Sequence, residues 1–314
     1  VQRVLRLLSD PTRLRILAAL EDGELAVGEI AEVLGMSQSR ISNHLRILRD
    51  GEALAGRREG AWTFYRNAMA DDPSRVPLWR AVRDGLDADP GLRADAARRR
   101  RVLEERRKRS REHFAAAAAP GIESKGLQAE IVAAAAPASL TVVDAGCGDG
   151  SLTELLAERF SSVIAVDHSP ERLEAARARV DSPKVSFRRG EVDHLPVQDA
   201  EADVVFLSLV LHHVPEIPAA LREARRVLRP GGTLVVADLA PHQVEAMRDR
   251  MGDLRLGIDP GYLAQALAEA AFEDVRVLPA RERLRAGRHP PLQVFLATGR
   301  RPADSPPKSR RRKP

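Results

Sequence analysis

The chain has 314 residues, 44% of them hydrophobic and 30% charged, the balance of a globular protein with length enough for two cores. The formal net charge of +5 is compatible with a nucleic-acid partner and too small to require one. No apolar run approaches the ~20 residues of a membrane span, and the single cysteine, Cys147, excludes an internal disulfide and an all-cysteine zinc site and fits a reducing, cytoplasmic setting.

Asp10-Pro11 opens the first clear helix, with Asp10 as cap and Pro11 in the first turn, and Leu14, Leu17 and Leu20 give that helix an apolar face. Val27, Ile30, Ala31 and Leu34 then recur at i, i+3, i+4 and i+7, a full helical stripe. Gly35 ends the stripe, Met36 lies in a tight turn, and Ser37 caps a further helix that runs to about Asp50. Helix, short glycine turn and helix make a helix-turn-helix. Ala53-Leu54-Ala55 and Trp62-Thr63-Phe64-Tyr65 read as two strands around a turn, Gly56 to Gly60, that carries Arg57 and Arg58. A hairpin in that position is a wing.

In the helix from Ser37 to Asp50, Ile41, Leu45 and Leu48 share one face and belong inside. At about 100° per residue Ser39, Asn43 and Arg46 fall opposite, flanked by Arg40 and Ser42. Such a face can enter a major groove, where Arg favours guanine and Asn favours adenine. Arg57 and Arg58, at the wing tip, are expected near phosphates or the minor groove. His44 lies beside the buried stripe and is expected to pack or to touch phosphate. Prolines 73, 77 and 90 bracket a short helix, and a charged helix follows from about Arg93 to His113. Its run of arginines at 98–101 reads either as a solvated face or as additional phosphate contact.

From Thr141 the pattern changes to alternating strands and helices. Thr141-Val142-Val143, Val163 to Val166, Val185 to Phe187, Val204 to Leu207 and Leu234 to Val236 are strands with helices between them, which implies a parallel sheet covered on both faces. Val275 to Val277 and Gln293 to Leu296 lack an obvious helix between them and are expected to pair antiparallel at the sheet edge. Asp144-Ala145-Gly146-Cys147-Gly148-Asp149-Gly150 ends the first strand and opens a helix, and its glycines permit a sharp turn and a close ligand. Asp167 ends the next strand about 20 residues on, where a carboxylate can accept both hydroxyls of a ribose. Asp149 adds negative charge at the turn, which suits a cationic ligand better than a pyrophosphate. Cys147 is expected to be a small filler of the loop.

Residues 1–68, through Ser9 to Leu17, Ser37 to Leu45 and Arg57-Arg58-Glu59-Gly60, resemble the ArsR family of winged-helix repressors. That resemblance implies a homodimer on a palindromic operator. The cysteine pair with which well-known members sense metals is absent: the matching stretch is Glu24-Leu25-Ala26-Val27-Gly28-Glu29, so no metal is expected there. Residues 122–300 resemble class I S-adenosylmethionine-dependent methyltransferases, through the glycine loop, Asp167, Gly190 to Pro196 and Leu228 to Leu234. This resemblance implies a Rossmann-like sheet of seven strands whose last strand is antiparallel, and S-adenosylmethionine as cofactor. It also implies that Gly146 and Gly148 line the methionine part, Asp144 fixes its amino end, Asp167 holds the ribose, Glu191 and Val192 border the adenine, and Ser208 lies near the end of the fourth strand. His212 and His213 are candidates for proton transfer to or from the acceptor, or for a packing role beside the cofactor.

The expected organisation is therefore α/β with a winged helix-turn-helix domain at 1–68. A helical connector with a dimerisation role follows at 69–112, then a methyltransferase domain at 113–301 and a disordered basic tail at 302–314. The residues fit a transcriptional regulator that binds double-stranded operator DNA and methylates a small molecule. They also fit a non-catalytic regulator with S-adenosylmethionine or S-adenosylhomocysteine as effector. An acceptor in DNA is disfavoured by the lack of an Asn-Pro-Pro-Tyr-type motif, and arsenic by the single cysteine.

Overall fold

A computed structural model describes residues 2–21, 23–59, 62–86, 89–116, 124–134, 140–244, 247, 253–284 and 291–303. The chain divides into two compact units: Val1–Ala117 with Pro215–Ile217 and Pro241–Leu256, and Ala118–Val214 with Pro218–Ala240 and Gly257–Pro314. Two short segments from within the stretch 113–301 thus group with the N-terminal unit. Most of the basic tail, 304–314, lies outside the described residues, as does most of the segment between 113 and 126. No helix among the described residues is long and apolar enough to cross a membrane.

The first unit contains α1 (Gln2–Leu8), α2 (Pro11–Ala19), β1 (Leu25–Ala26), α3 (Val27–Leu34), α4 (Gln38–Asp50), β2 (Leu54–Glu59), β3 (Trp62–Asn67), α5 (Val76–Leu86) and α6 (Pro90–Ala116). Asp10 caps α2 by accepting the Arg13 N–H at 3.0 Å, which satisfies one of the donors a helix start leaves open. The buried residues of α2 are Ile16, Leu17 and Ala19, followed by Leu20, while Leu14 is only half-buried. The helix packs against α3, α4 and α6, so more than one of its sides is covered and a single stripe does not describe it. Gly35 ends α3 at φ +65°, a conformation that costs glycine least. Ser37 stands at the cap position of α4, but its hydroxyl lies 3.3 Å from that of Ser39 and receives no helix N–H.

The wing is longer than the sequence pattern indicates. β2 and β3 pair in antiparallel register from Leu54↔Asn67 to Glu59↔Trp62. Arg57 and Arg58 are therefore strand residues, not turn residues. β1 adds to the other side of β3, giving the order β1-β3-β2.

Helix α6 contributes to the core of this unit rather than only connecting. Asp95 is 2% exposed and takes Arg15 Nε at 2.6 Å. Arg98 donates to the Val33 carbonyl and Arg99 to the Ala19 carbonyl, which end α3 and α2. Half of the arginine run thus closes helix ends, where cations and donors are favoured. Arg100 and Arg101 are exposed.

The second unit contains α7 (Lys125–Ala133), β4 (Thr141–Ala145), α8 (Ser151–Arg159), β5 (Ser162–Asp167), α9 (Pro170–Arg179), β6 (Val185–Arg189) and β7 (Ala202–Ser208). A 3-10 turn (Leu211–His213), α10 (Ile217–Val227), β8 (Leu228–Leu239), α11 (Pro260–Glu269), β9 (Glu273–Leu284) and β10 (Leu292–Arg300) follow. The seven strands lie in the order β6-β5-β4-β7-β8-β10-β9. β6, β5, β4, β7 and β8 run parallel, and β10 is antiparallel to both β8 and β9. The final strand enters between β8 and β9, leaving β9 at the edge. Val142, Val143, Val163, Val205, Val235 and Val236 are fully buried, as strands covered on both faces require. The chain proceeds outward from β4 through β5 to β6 and then returns to β7 on the other side. That reversal opens a crevice at the carboxyl ends of β4 and β7, the place where doubly wound sheets accept ligands.

Candidate functional site

The loop leaving β4 carries three left-handed glycines: Gly146 at φ +83°, Gly148 at +56° and Gly150 at +82°. A side chain at Gly146 would put Cβ 2.4 Å from Val210 Cγ2, so the loop and the exit from β7 press together there. Gly146 and Cys147 both donate their N–H to the Val166 carbonyl, at 2.7 and 2.9 Å. Gly148 donates to Asp167 Oδ2 at 2.9 Å, and Ser169 N–H donates to Asp167 Oδ1 at 2.9 Å. Asp167, 5% exposed at the end of β5, is thus locked to the glycine loop by backbone donors. A carboxylate oxygen accepts more than one hydrogen bond, so these leave acceptor capacity for ligand hydroxyls.

Asp144, at the carboxyl end of β4, is 1% exposed and accepts the Thr153 hydroxyl at 2.6 Å. Burial pushes its carboxyl up to about 7; the Thr153 hydrogen bond opposes this, and the nearby Asp167 and Asp149 charges add to it. Asp149 is already engaged: it accepts Ser151 N–H at 3.2 Å and pairs with Arg179 at 3.0 Å. Its charge still acts at the loop, adding to that of Asp167 beside Asp144. The Cys147 thiol packs with Ala165, Leu173 and Ala176, and burial raises it far above the range in which a thiolate forms.

Gly190 N–H donates to the Asp167 carbonyl at 3.1 Å, bringing the segment after β6 alongside the ribose candidate. Glu191 and Val192 are half-buried in the short turn closed by His194 N–H to the Glu191 carbonyl. Leu195 N–H donates to Glu223 at 2.7 Å, anchoring the segment to α10. Ser208 ends β7, half-buried, beside Ala237 of β8. The chain leaves β7 through Leu209 at φ +55°, a strained geometry for a residue with a branched side chain. His212 is 4% exposed with Nδ1 2.5 Å from Asp238 Oδ1, and the half-buried His213 ring lies 4.0 Å from it, centroid to centroid. Asp144, Gly146, Gly148, Asp167, Glu191, Val192 and Ser208 therefore all lie at or just beyond the carboxyl ends of β4, β5, β6 and β7. Two partners escaped the sequence reading, Thr153 and Asp238. Asp238 carried a usable signal: like Asp144 and Asp167, it is a carboxylate at the end of a buried strand.

In the first unit Ile41, Leu45 and Leu48 are buried, and Ser39, Arg40, Ser42, Asn43 and Arg46 are all exposed on α4. Arg46 donates to Asn43 Oδ1 at 3.1 Å, so the two side chains orient each other. Ser42 is turned back onto its own helix, donating to the Gln38 carbonyl at 2.8 Å. His44 is half-buried with Nδ1 3.8 Å from Asp10. The placement of Arg57 corrects the expectation of a wing-tip cation. Its guanidinium pairs with Glu24, 5% exposed, at 3.0 Å and lies over the Phe64 ring at 5.3 Å. A buried carboxylate demands a partner, and the strand geometry supplies Arg57. Arg58, the next residue, is exposed.

Residues 10–52 match the family model for bacterial regulatory proteins of the arsR family, and residues 143–236 match the model for a methyltransferase domain. The chain is 36% identical over 108 residues to malonyl-[acyl-carrier protein] O-methyltransferase of Serratia marcescens, covering 34% of this chain and 42% of that relative. It is 36% identical over 162 residues to arsenite methyltransferase of Halobacterium salinarum, covering 48% of this chain and 41% of that relative. The chain thus spans less than half the length of these curated relatives. A solved S-adenosylmethionine dependent methyltransferase from Mesorhizobium loti is 19% identical with a TM-score of 0.48, covering 58% of this chain and all of the other.

Proposed function

We propose that this chain, which joins an arsR-family regulatory module to a methyltransferase domain, binds operator DNA and transfers a methyl group from S-adenosylmethionine to a small molecule in the cytoplasm. The observation that carries the reading is the meeting, at the carboxyl ends of β4 and β5, of a left-handed glycine loop with two buried carboxylates, Asp144 and Asp167. The donor set fits the cofactor. Two carboxylates beside a close-approach loop suit a ligand with an ammonium and a sulfonium, and they repel a pyrophosphate. Gly146 and Gly148 line the methionine part, Asp144 attracts its ammonium, Asp167 accepts from the ribose hydroxyls, and Glu191 and Val192 flank the adenine. Ser208 borders the crevice from β7. S-adenosylmethionine supplies an electrophilic methyl group when bound. The protein's task is then alignment and exclusion of water, which by themselves account for much of a methyl-transfer rate.

At the other end, α4 enters the major groove with Ser39, Arg40, Ser42, Asn43 and Arg46. Arg58 contacts the DNA backbone from the wing, and Arg57 supports the wing from within. The protein works as a homodimer on a palindromic site, with the helices after the wing as the dimerisation surface. Relatives named for arsenite and for malonyl-[acyl-carrier protein] support an acceptor other than nucleic acid. Labelled S-adenosylmethionine incubated with the full chain and a cell metabolite extract tests the reading. Label should appear in a small product. Tight cofactor binding with no transfer, together with altered DNA affinity, would identify the cofactor as an effector instead.

A further inference from the structure

The described segment 190–201, between β6 and β7, forms neither helix nor strand and is pinned internally by a bridge between Glu191 and His194. Its remaining backbone polar groups need partners from elsewhere in the fold. The last two turns of α10 supply them. Leu195 N–H donates to Glu223 Oε1 at 2.7 Å, and Arg226 Nη2 donates to the carbonyls of Leu195 at 3.2 Å and Val197 at 2.9 Å. The same guanidinium reaches Glu223 through Nε and Nη2, at 2.9 and 2.7 Å, and Asp199 through Nη1 at 2.5 Å. Ala200 N–H completes the grip by donating to the Arg226 carbonyl at 3.0 Å. Burial works to raise the Glu223 carboxyl, yet the Arg226 and Leu195 hydrogen bonds hold it below the ordinary carboxylate range. A rigid guanidinium fork suits this set of acceptors; an ammonium on a flexible stem does not.

The grip continues to the ribose candidate. Pro196 lies between the two clamped carbonyls, and a Cβ at Gly190 would come within 2.4 Å of Pro196 Cδ, so the segment folds back onto its own start. Gly190 N–H in turn donates to the Asp167 carbonyl at 3.1 Å. Glu191 and Val192 therefore lie, along the chain, between an anchor on Asp167 and a clamp on α10.

We propose that Glu223 and Arg226 are positioning residues for the cofactor, which fix the adenine-side wall at Glu191 and Val192 in its receiving shape before S-adenosylmethionine arrives. The inference rests on the cofactor reading above and deepens it by naming what sets the affinity for the adenosine half. Both residues act through the segment and not by touching the ligand. A wall that is already ordered costs little to occupy, whereas a loosened wall must be ordered by the ligand, and affinity falls by that cost.

Amide hydrogen exchange and calorimetry with S-adenosylhomocysteine, both on the full chain, test the proposal. The reporters are the His194 and Val197 amides, whose own acceptors, the Glu191 and Leu195 carbonyls, survive the substitutions. In the wild type these amides should be protected without ligand, and saturating S-adenosylhomocysteine should add little. Arg226→Lys and Glu223→Ala should speed their exchange by ~10-fold or more while the amides of β4 and β5 keep wild-type protection. The same variants should bind S-adenosylhomocysteine ~10-fold or more weakly, and the ligand should restore most of the lost protection. Wild-type reporters that are unprotected until ligand binds overturn the proposal whatever the variants do. Equal loosening of β4, β5 and the segment means general support of the sheet and overturns it. Wild-type uptake of S-adenosylhomocysteine with variant affinity within about twofold overturns it while leaving the cofactor reading intact. A wild type that takes up no S-adenosylhomocysteine or S-adenosylmethionine overturns both.

Discussion

Replacing Asp144 by Asn removes a buried charge while keeping an oxygen to accept from the Thr153 hydroxyl. The Asp144 carboxyl is pushed from 3.8 to about 7 in the folded protein, chiefly by burial. Because the folded value is raised, the folded state holds a proton that the unfolded chain releases between those two pH values. Stability is therefore greatest below the unfolded value and is lost as pH rises toward 7. A displacement of about 3 pH units at 1.36 kcal/mol each amounts to about 4 kcal/mol, fully expressed by pH 8. Urea unfolding followed by circular dichroism should show wild type and Asp144→Asn converging near pH 4. The variant should gain progressively up to pH 8, with hydrogen exchange of the Val142 and Val143 amides assigning the transition to this unit. If the two proteins stay parallel between pH 5 and pH 8, Asp144 is not a desolvated carboxyl and the electrostatic account of the loop is wrong.

The same group makes cofactor binding pH-dependent. Below about 7 Asp144 must lose a proton before it can attract an ammonium, so affinity for S-adenosylmethionine should weaken by up to about tenfold per pH unit, with proton release visible by calorimetry in buffers of different ionisation enthalpy. Asp167→Ala should weaken the cofactor and spare DNA binding. Asn43→Ala with Arg46→Ala should reverse that pattern, weakening DNA binding by about 1–3 kcal/mol for each base the helix no longer reads, as followed by fluorescence anisotropy on a duplex selected from a random pool. Arg57→Ala strands the buried Glu24 carboxylate and should cost about 3 kcal/mol of stability in a urea titration followed by tryptophan fluorescence. Arg58→Ala should leave that midpoint unchanged and lower the salt slope of DNA binding by about 1. Gly146→Ala forces Cβ against Val210 at φ +83° and should destabilise the second unit by about 1–3 kcal/mol, seen as a lower melting temperature.

Local chemistry made much of this protein legible before its structure. Spacing alone put Ile41, Leu45 and Leu48 on the inside of α4 and Asn43 and Arg46 on the outside, because a helix repeats every 3.6 residues whatever surrounds it. Runs of β-branched residues ending in Asp144 and Asp167 marked strands whose carboxyl ends face a ligand crevice. The glycines at 146, 148 and 150 announced a loop that ordinary residues cannot form.

What sequence could not supply was the partner of each charge, since ionic and hydrogen-bonded pairs join residues far apart in the chain. Arg57 reads as a wing-tip cation, and its pairing with Glu24, 33 positions away, appears only in the fold. Arg98 and Arg99 read as solvated or phosphate-bound until α6 folds against the ends of α3 and α2. Asp149 reads as a charge at the loop, but that Arg179, 30 positions on, pairs with it and that burial perturbs Asp144 most emerge only in the fold. His212 and Asp238 are 26 residues apart and meet only because β8 lies beside β7. The period of an element is set by its own backbone, whereas desolvation and charge pairing depend on what the finished fold brings within a few ångströms.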